Sequence, residues 1–361
     1  MPRTRQPIRR ASVVGAGSFG TAVAVLLVRA GVRTTLLCRT QEQADELCDK
    51  NENERYLKGV KLPDRLKVRV LGGIEHQFAR ADLVLLAVPS AGLRTAIDEL
   101  LRQGVPRSTR VVSLAKGLVP PDGTPPTVTL EAALGGAERV GCVGGPAHAR
   151  EMVESGAGLV CASHDAELVA RVAEVFQRAG VVCEASDDPV GVELAGCAKN
   201  AAALASGATE AQGLNAAGMA AADIFSEVMG LAAFYGGRSR TFLGRAGIGD
   251  LVATALAPSS RNRSAGELLA QGVPASAIPE RLGQAAEALE TVPLLARAIS
   301  RAGLEAPITS ALARLIDGSL PLDEWVALVR ARQPGSTGRF PGRLGAWWRK
   351  VRARRRHRAR P

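Results

Sequence analysis

The first half of the chain alternates short apolar runs with stretches of helical period. Residues 11–14, 34–38, 83–87, 111–114, 140–143 and 158–161 are each mainly apolar from end to end. That is the pattern of strands buried on both faces of a sheet. Between them, residues 19–30 form an apolar helical stretch that stops at Gly31, and residues 165–179 carry a helical pattern between Cys161 and Val181. Strand and helix in alternation predict a doubly wound α/β domain. Asp187-Asp188-Pro189 marks its end. Beyond it strand signals largely stop, and residues 190–208, 216–235, 264–270, 286–302 and 308–315 read as helices, most of them rich in Ala and Leu.

The expected organisation is therefore an α/β domain over residues 1–188 and a mostly α-helical C-terminal domain over 189–332. A linker and basic tail without fixed structure follow over 333–361. A length of 361 residues suits two domains with sizeable cores. No uninterrupted apolar run reaches the ~18–20 residues needed to cross a bilayer. The basic start, MPRTRQPIRR, leads straight into a strand and lacks the apolar stretch of a signal peptide. The cysteines at 38, 48, 142, 161, 183 and 197 contain no C-x-x-C pair and sit mostly in apolar runs, so they read as reduced thiols of a cytoplasmic protein. Four scattered histidines give no zinc pattern, and no metal is expected.

Charge changes the picture only at the C-terminus. The net charge is +11, but residues 339–361 hold ten Lys/Arg and no acid, which leaves 36 basic against 35 acidic residues in the remainder. Three readings stand for this tail. Trp347 and Trp348 beside Arg349, Lys350 and Arg352 suit an anionic membrane surface. A solubilising extension is the plainer alternative, and nucleic acid is the least favoured. Only seven of the 46 basic residues are lysine, at 50, 58, 61, 67, 116, 199 and 350. Arginine serves for plain charge but cannot release a proton, so a lysine retained in an apolar segment draws interest.

The candidate chemistry starts at Gly15-Ala16-Gly17-Ser18-Phe19-Gly20. This G-x-G-x-x-G has a strand before it, a helix after it and a second strand at the expected distance. In that context Gly15 allows the turn, Gly17 lets a pyrophosphate reach the backbone, and Gly20 lets the helix pack on the sheet. The phosphates then rest on N–H groups at a helix N-terminus. The expected fold is accordingly a Rossmann-type domain that binds a nicotinamide dinucleotide. An acid at the end of the second strand would select NAD. Here stand Cys38-Arg39-Thr40, and Arg39 is expected to pair with a 2′-phosphate, which favours NADPH while leaving NADH open.

Several ordered segments resemble the soluble NAD(P)-dependent glycerol-3-phosphate dehydrogenases over roughly residues 11–320. They are Gly-Ala-Gly-Ser-Phe-Gly-Thr-Ala at 15–22, Asn53-Glu54-Arg55-Tyr56-Leu57 with Leu62-Pro63, Ala87-Val88-Pro89-Ser90, and Ser113-Leu114-Ala115-Lys116-Gly117-Leu118. Gly145-Pro146-Ala147-His148-Ala149, Gly191-Val192-Glu193-Leu194 to Lys199-Asn200, Gly247-Ile248-Gly249-Asp250-Leu251 and Ser260-Arg261-Asn262 complete the series. The resemblance implies interconversion of dihydroxyacetone phosphate and sn-glycerol 3-phosphate, a step that feeds phospholipid synthesis. A homodimer is also expected.

Within that reading Lys199 is the expected acid/base. It lies in a helix too apolar to face solvent, and desolvation lowers a lysine pKa toward the working range. Lys116, just after a strand, is expected at the substrate oxygen and the cofactor. The resemblance gives Asp250 the substrate hydroxyl and the orientation of the catalytic lysine, although an aspartate there also suits a helix cap. Ser260, Arg261 and Asn262 are expected to clamp the phosphate. Gly145 and Ala147 are assigned to substrate. Ser18, Phe19, Ala149, Arg261 and Glu287 join the cradle glycines and Arg39 at the cofactor. Three positions depart from the family pattern: Ala147 replaces a serine, Ala222-Asp223-Ile224 replaces a Thr-Arg-Gly run, and Ala288 replaces a glycine. Two alternatives remain at this stage, a related reductase of another hydroxy compound such as ketopantoate, and a catalytically silent NADPH sensor.

Overall fold

The computed structural model describes residues 7–257 and 260–331. Eight strands form one sheet: β1 (Arg10–Val14), β2 (Arg33–Cys38), β3 (Lys67–Val70), β4 (Leu83–Leu86), β5 (Arg110–Ser113), β6 (Val140–Gly144), β7 (Gly158–Ala162) and β8 (Val182–Ser186). Their order is β3-β2-β1-β4-β5-β6-β7-β8. Chain order reverses between β1 and β4, and the crevice outside the carboxyl ends of these strands is where open α/β sheets bind ligands. Every neighbouring pair is parallel except β6 and β7. An apolar run carries no direction, so this reversal has no signature in the pattern. Nor was β3 among the expected strands. Its sequence, Lys-Val-Arg-Val, exposes both charges, as suits a strand on the sheet edge.

The last strand ends at Ser186, and Asp188 opens the helical region. One carboxylate oxygen of Asp188 accepts from the Gly191 N–H at 3.0 Å and so caps a 21-residue helix, Pro189–Thr209. This spine helix is buried almost all round, as its lack of a polar face requires. The helices Leu214–Phe234, Arg261–Ala270 and Glu287–Arg301 pack about it. Its contact with Arg261–Ala270 is backbone on backbone: a Cβ on Gly207 would overlap the Arg263 carbonyl, and one on Gly266 would overlap that of Leu204. The helical core also takes in Leu118, Cys142 and Val160 from the sheet region, so the two parts share packing.

The helix Leu214–Phe234 is long and apolar enough to cross a membrane by length and composition. The expectation from uninterrupted runs overlooked it because Asp223 and Glu227 interrupt it. Its inner face packs on the spine. The buried Glu227 carboxylate receives the Ile308 and Thr309 N–H groups at 3.1 and 2.7 Å, at the start of the helix Pro307–Ile316. All six cysteines are free thiols, five of them buried. Burial pushes Cys38 and Cys183 up to about 12, and Cys142, Cys161 and Cys197 well up also, so these thiols stay protonated. The linker and tail expected over 333–361 lie outside the described residues.

Candidate active site

The cradle forms where β1 ends beside β4. Gly15 has φ +107°, and a Cβ there would sit 2.5 Å from the Ala87 carbonyl oxygen, so only glycine makes this turn. A Cβ on Gly17 would meet nothing within 4 Å, which leaves open space against the backbone. The helix Ser18–Arg29 begins with no side-chain cap and no acid in its first turn, so its N-terminal dipole has no competing carboxylate. Glycine-lined space at an uncapped helix start fits a dinucleotide pyrophosphate. The loop is braced from behind. Asn53 is buried, and its amide donates to the Ala16 carbonyl at 3.0 Å and to the Thr21 hydroxyl at 2.7 Å. Arg39 stands exposed at the end of β2, just ahead of the helix Gln41–Lys50 that Thr40 caps.

Three ionisable groups from distant segments meet beyond the sheet edge. Lys116 comes from the loop after β5, Lys199 from the middle of the spine, and Asp250 from the start of the helix Asp250–Leu256. Lys116 Nζ lies 2.7 Å from one Asp250 oxygen and donates to the Gly145 carbonyl at 3.1 Å. Lys199 Nζ lies 3.6 Å from the other Asp250 oxygen. The Phe19 ring lies 6.0 Å from Lys116 Nζ, which ties the cradle to this cluster. Burial, aided by the charge on Lys116, brings the Lys199 ammonium down to about 8 against the pull of Asp250. Burial would raise the Asp250 carboxyl, but the two lysine charges outweigh it and hold the group below its ordinary value. An amine near 8 gains and loses protons readily at neutral pH. Arg245–Gly249 is one π-helical turn continuous with the helix, and the Asp250 side chain turns to the lysines instead of capping.

A polar chain leads away from the lysines. The Asn200 amide donates to the Lys116 carbonyl at 3.2 Å and to a Glu287 carboxylate oxygen at 3.3 Å. Its own carbonyl accepts from the Asn262 amide at 3.0 Å, and the Asn262 carbonyl accepts from the Ala288 N–H at 3.1 Å. Ser260 caps the helix Arg261–Ala270, its hydroxyl accepting from the Arg263 N–H. Arg261 is exposed, with one guanidinium nitrogen 3.3 Å from the Ala285 carbonyl. Ala147 and Ala149 follow β6 and pack in part against the sheet core.

Comparison with known proteins places this arrangement. Residues 10–169 match the NAD-dependent glycerol-3-phosphate dehydrogenase N-terminus, and residues 188–327 match the C-terminus of the same family. The chain belongs to this family. A glycerol-3-phosphate dehydrogenase [NAD(P)+] of Chlorobium limicola is 35% identical over 329 residues, covering 90% of this chain and 98% of that one. One from Parafrankia is 37% identical over 333 residues, covering 91% and 98%. The crystal structure of glycerol-3-phosphate dehydrogenase from Coxiella burnetii superposes with a TM-score of 0.83 at 28% identity, covering 90% of this chain and 99% of that one.

As a dehydrogenase of this family the chain has site-supporting residues that motif reading quoted without assigning. Asn200 is a buried polar residue in an otherwise apolar helix, directly after Lys199, and it joins Lys116, Glu287 and Asn262. Asn53 holds the cradle loop. The signal for Asn200 was an amide in an apolar helix, since such a group is held by hydrogen bonds, whereas Asn53 sits in the polar run 51–55 and gave none. Lysine economy proved a weaker guide. Lys50 and Lys61 form surface ion pairs with Glu46, Glu54 and Glu52, where arginine would serve as well.

Proposed function

We propose that this chain interconverts dihydroxyacetone phosphate and sn-glycerol 3-phosphate, with Lys199 as acid/base. The observation that carries the reading is the Lys116–Asp250–Lys199 cluster beside the glycine cradle. Gly15, Gly17, Ser18, Phe19 and Gly20 would hold the pyrophosphate, and Arg39 the adenosine end. When bound, the nicotinamide supplies or accepts the hydride at C2. In reduction the Lys199 ammonium gives its proton to the C2 oxygen, while Lys116 stabilises the negative charge that develops there. Asp250 keeps the two ammonium groups together and accepts a substrate hydroxyl. Arg261, with Ser260 and the free N–H of the Asn262 amide, takes the phosphate. With dihydroxyacetone phosphate the chain should oxidise NADPH. Unphosphorylated dihydroxyacetone and ketopantoate should give little turnover, and equal turnover with either would sink the assignment.

NADPH is the preferred cofactor in this reading, because the end of β2 offers Arg39 and no acid. Arg39→Ala should lower the NADPH/NADH ratio of kcat/KM by about tenfold, the value of one charged hydrogen bond. An unchanged ratio would move the selectivity elsewhere. In this reading the enzyme works in the cytoplasm as a homodimer. The exposed Ile248, Val252 and Leu256, four residues apart along one helical face, offer it an apolar surface. For residues 339–361, co-sedimentation of full and truncated chains with anionic vesicles decides between a membrane contact and a solubilising extension.

A further inference from the structure

One face of the sheet changes character along its strands. Toward the carboxyl ends it carries Val14, Leu37, Val84 and Leu86, packed with Phe78. Toward the amino ends the same face turns polar. Arg10 pairs in register with Arg33 and Ser12 with Thr35, and Thr35 and Leu37 pair with Lys67 and Arg69. Partners in register and residues two apart point to the same side, so these side chains share one surface. A doubly wound sheet ordinarily buries that surface under a helix. Here residues 71–82, between β3 and β4, form no helix. A cavity of about 730 Å³ remains between the strands and this connection.

Six cations line the cavity, Arg10, Arg33, Arg65, Lys67, Arg69 and Arg80, and no Asp or Glu does. None of the six forms an ion pair among the described residues. Among the described residues, the one side-chain bond Arg69 makes is to the neighbouring Val68 carbonyl. A contiguous cavity of about 610 Å³ shares Arg10, Arg33 and Arg80 and adds Arg9 and Arg178. Its single acid, Asp82, is occupied by the backbone N–H groups of Arg9 and Arg10 at 2.8 and 2.9 Å. Residues 1–6, 258–259 and 332–361 contain no Asp or Glu side chain. Elsewhere the molecule pairs its charges readily, as at Lys50, Lys61, Arg94, Arg102 and Arg238.

We infer that this cavity is a second anion site, for a soluble small molecule carrying two or more phosphates. Concave walls of one sign focus the field and concentrate counter-ions. Arginine forks match phosphate oxygens in pairs, and the Ser12 and Thr35 hydroxyls add neutral donors. The volume lies within the ~300–1,000 Å³ range of small-molecule sites. A single phosphate would leave most of the six charges unanswered, and a chain of phosphates would reach several. The site stands at the amino end of β1 and β2, whose carboxyl ends carry the cradle and Arg39, so it is distinct from the dehydrogenase site.

The test is calorimetric titration of the full chain with sodium tripolyphosphate at physiological ionic strength, beside the double variant Arg33→Ser/Lys67→Ser. Both side chains are exposed and without ion-pair partners among the described residues, so the variant should fold, and an NADPH Kd within twofold of wild type checks this. The variant should bind tripolyphosphate at least tenfold more weakly. Wild type should bind inorganic monophosphate at least tenfold more weakly than tripolyphosphate. Equal tripolyphosphate affinity in variant and wild type would overturn the site. So would a variant that keeps tripolyphosphate binding but loses pelleting with phosphatidylglycerol vesicles, since the cavity would then face a lipid surface.

Discussion

The spine helix buries two ionisable side chains six residues apart, Glu193 and Lys199, and they behave oppositely. Glu193 is enclosed at the sheet side, where one carboxyl oxygen receives the Thr127 N–H at 2.9 Å and the other meets the Thr127 hydroxyl at 2.7 Å. Burial pushes it up to about 8, against those hydrogen bonds. Lys199 is brought down to about 8 by the same burial. The two groups thus reach the same value from opposite sides. Glu193 has its hydrogen bonds met by one threonine and forms no ion pair among the described residues. Lys199 shares Asp250 with Lys116, and those three groups come from separate segments at the edge that carries the cradle. A perturbed pKa therefore marks burial in both cases, and only the company of the group separates chemistry from packing.

The largest expected effect falls on Lys199. Lys199→Arg keeps a charge but cannot shed a proton, and should lose about 10²–10⁴ in kcat while folding normally. Near-wild-type turnover would make Lys199 a second Glu193, a buried group without chemistry. In the native enzyme kcat for reduction should fall as pH rises through about 8, and kcat for oxidation should rise there, since the two directions need the ammonium and the free amine. Asp250→Asn removes the carboxylate between two ammonium groups, so that break should move down by about one unit or more. A break that stays in place would detach Asp250 from Lys199.

The smallest effects belong to Glu193. Its folded value lies above its ordinary 4.5, so the folded state holds a proton that the unfolded state lacks between about 4.5 and 8. Stability should fall as pH rises through that window, and Glu193→Gln should flatten the slope without touching kcat. Glu193→Ala should cost ~1–3 kcal/mol in denaturant titration by leaving the Thr127 N–H unpaired. Lys199 predicts the reverse linkage, with stability rising between about 8 and 10.5 as its buried charge is relieved. Loss of turnover in Glu193→Gln would erase the distinction between the two.

How much of this was legible in sequence follows from how local each feature is. The cradle depends on glycine spacing within six residues after a strand, so motif reading found it. Lys199 stood out because a charge in an apolar helix is rare and local. The edge strand β3 and the antiparallel turn of β7 depend on which strands lie side by side, which composition does not record. The polar chain joins Asn200 to residues 62 to 87 positions away. The cationic cavity was hidden for the same reason, its arginines being scattered singly through residues 10–80.

Gly207 and Gly266 have no chemistry of their own, yet the spine and the helix Arg261–Ala270 touch through them. Seven residues up the spine lies Asn200, and four residues back along the other helix lies Asn262, hydrogen-bonded to it. The hydrogen atoms of two glycines thus act as a spacer gauge for the angle at which the proposed phosphate-binding and proton-transferring parts face each other. A methyl group added at that crossing would pry the helices apart at a fulcrum about 10 Å from Asn200, at ~1.5 Å of rise per residue. If the proposed roles hold, the alignment of the reaction is stored in this backbone contact, which a family comparison confined to substrate-facing residues would pass over.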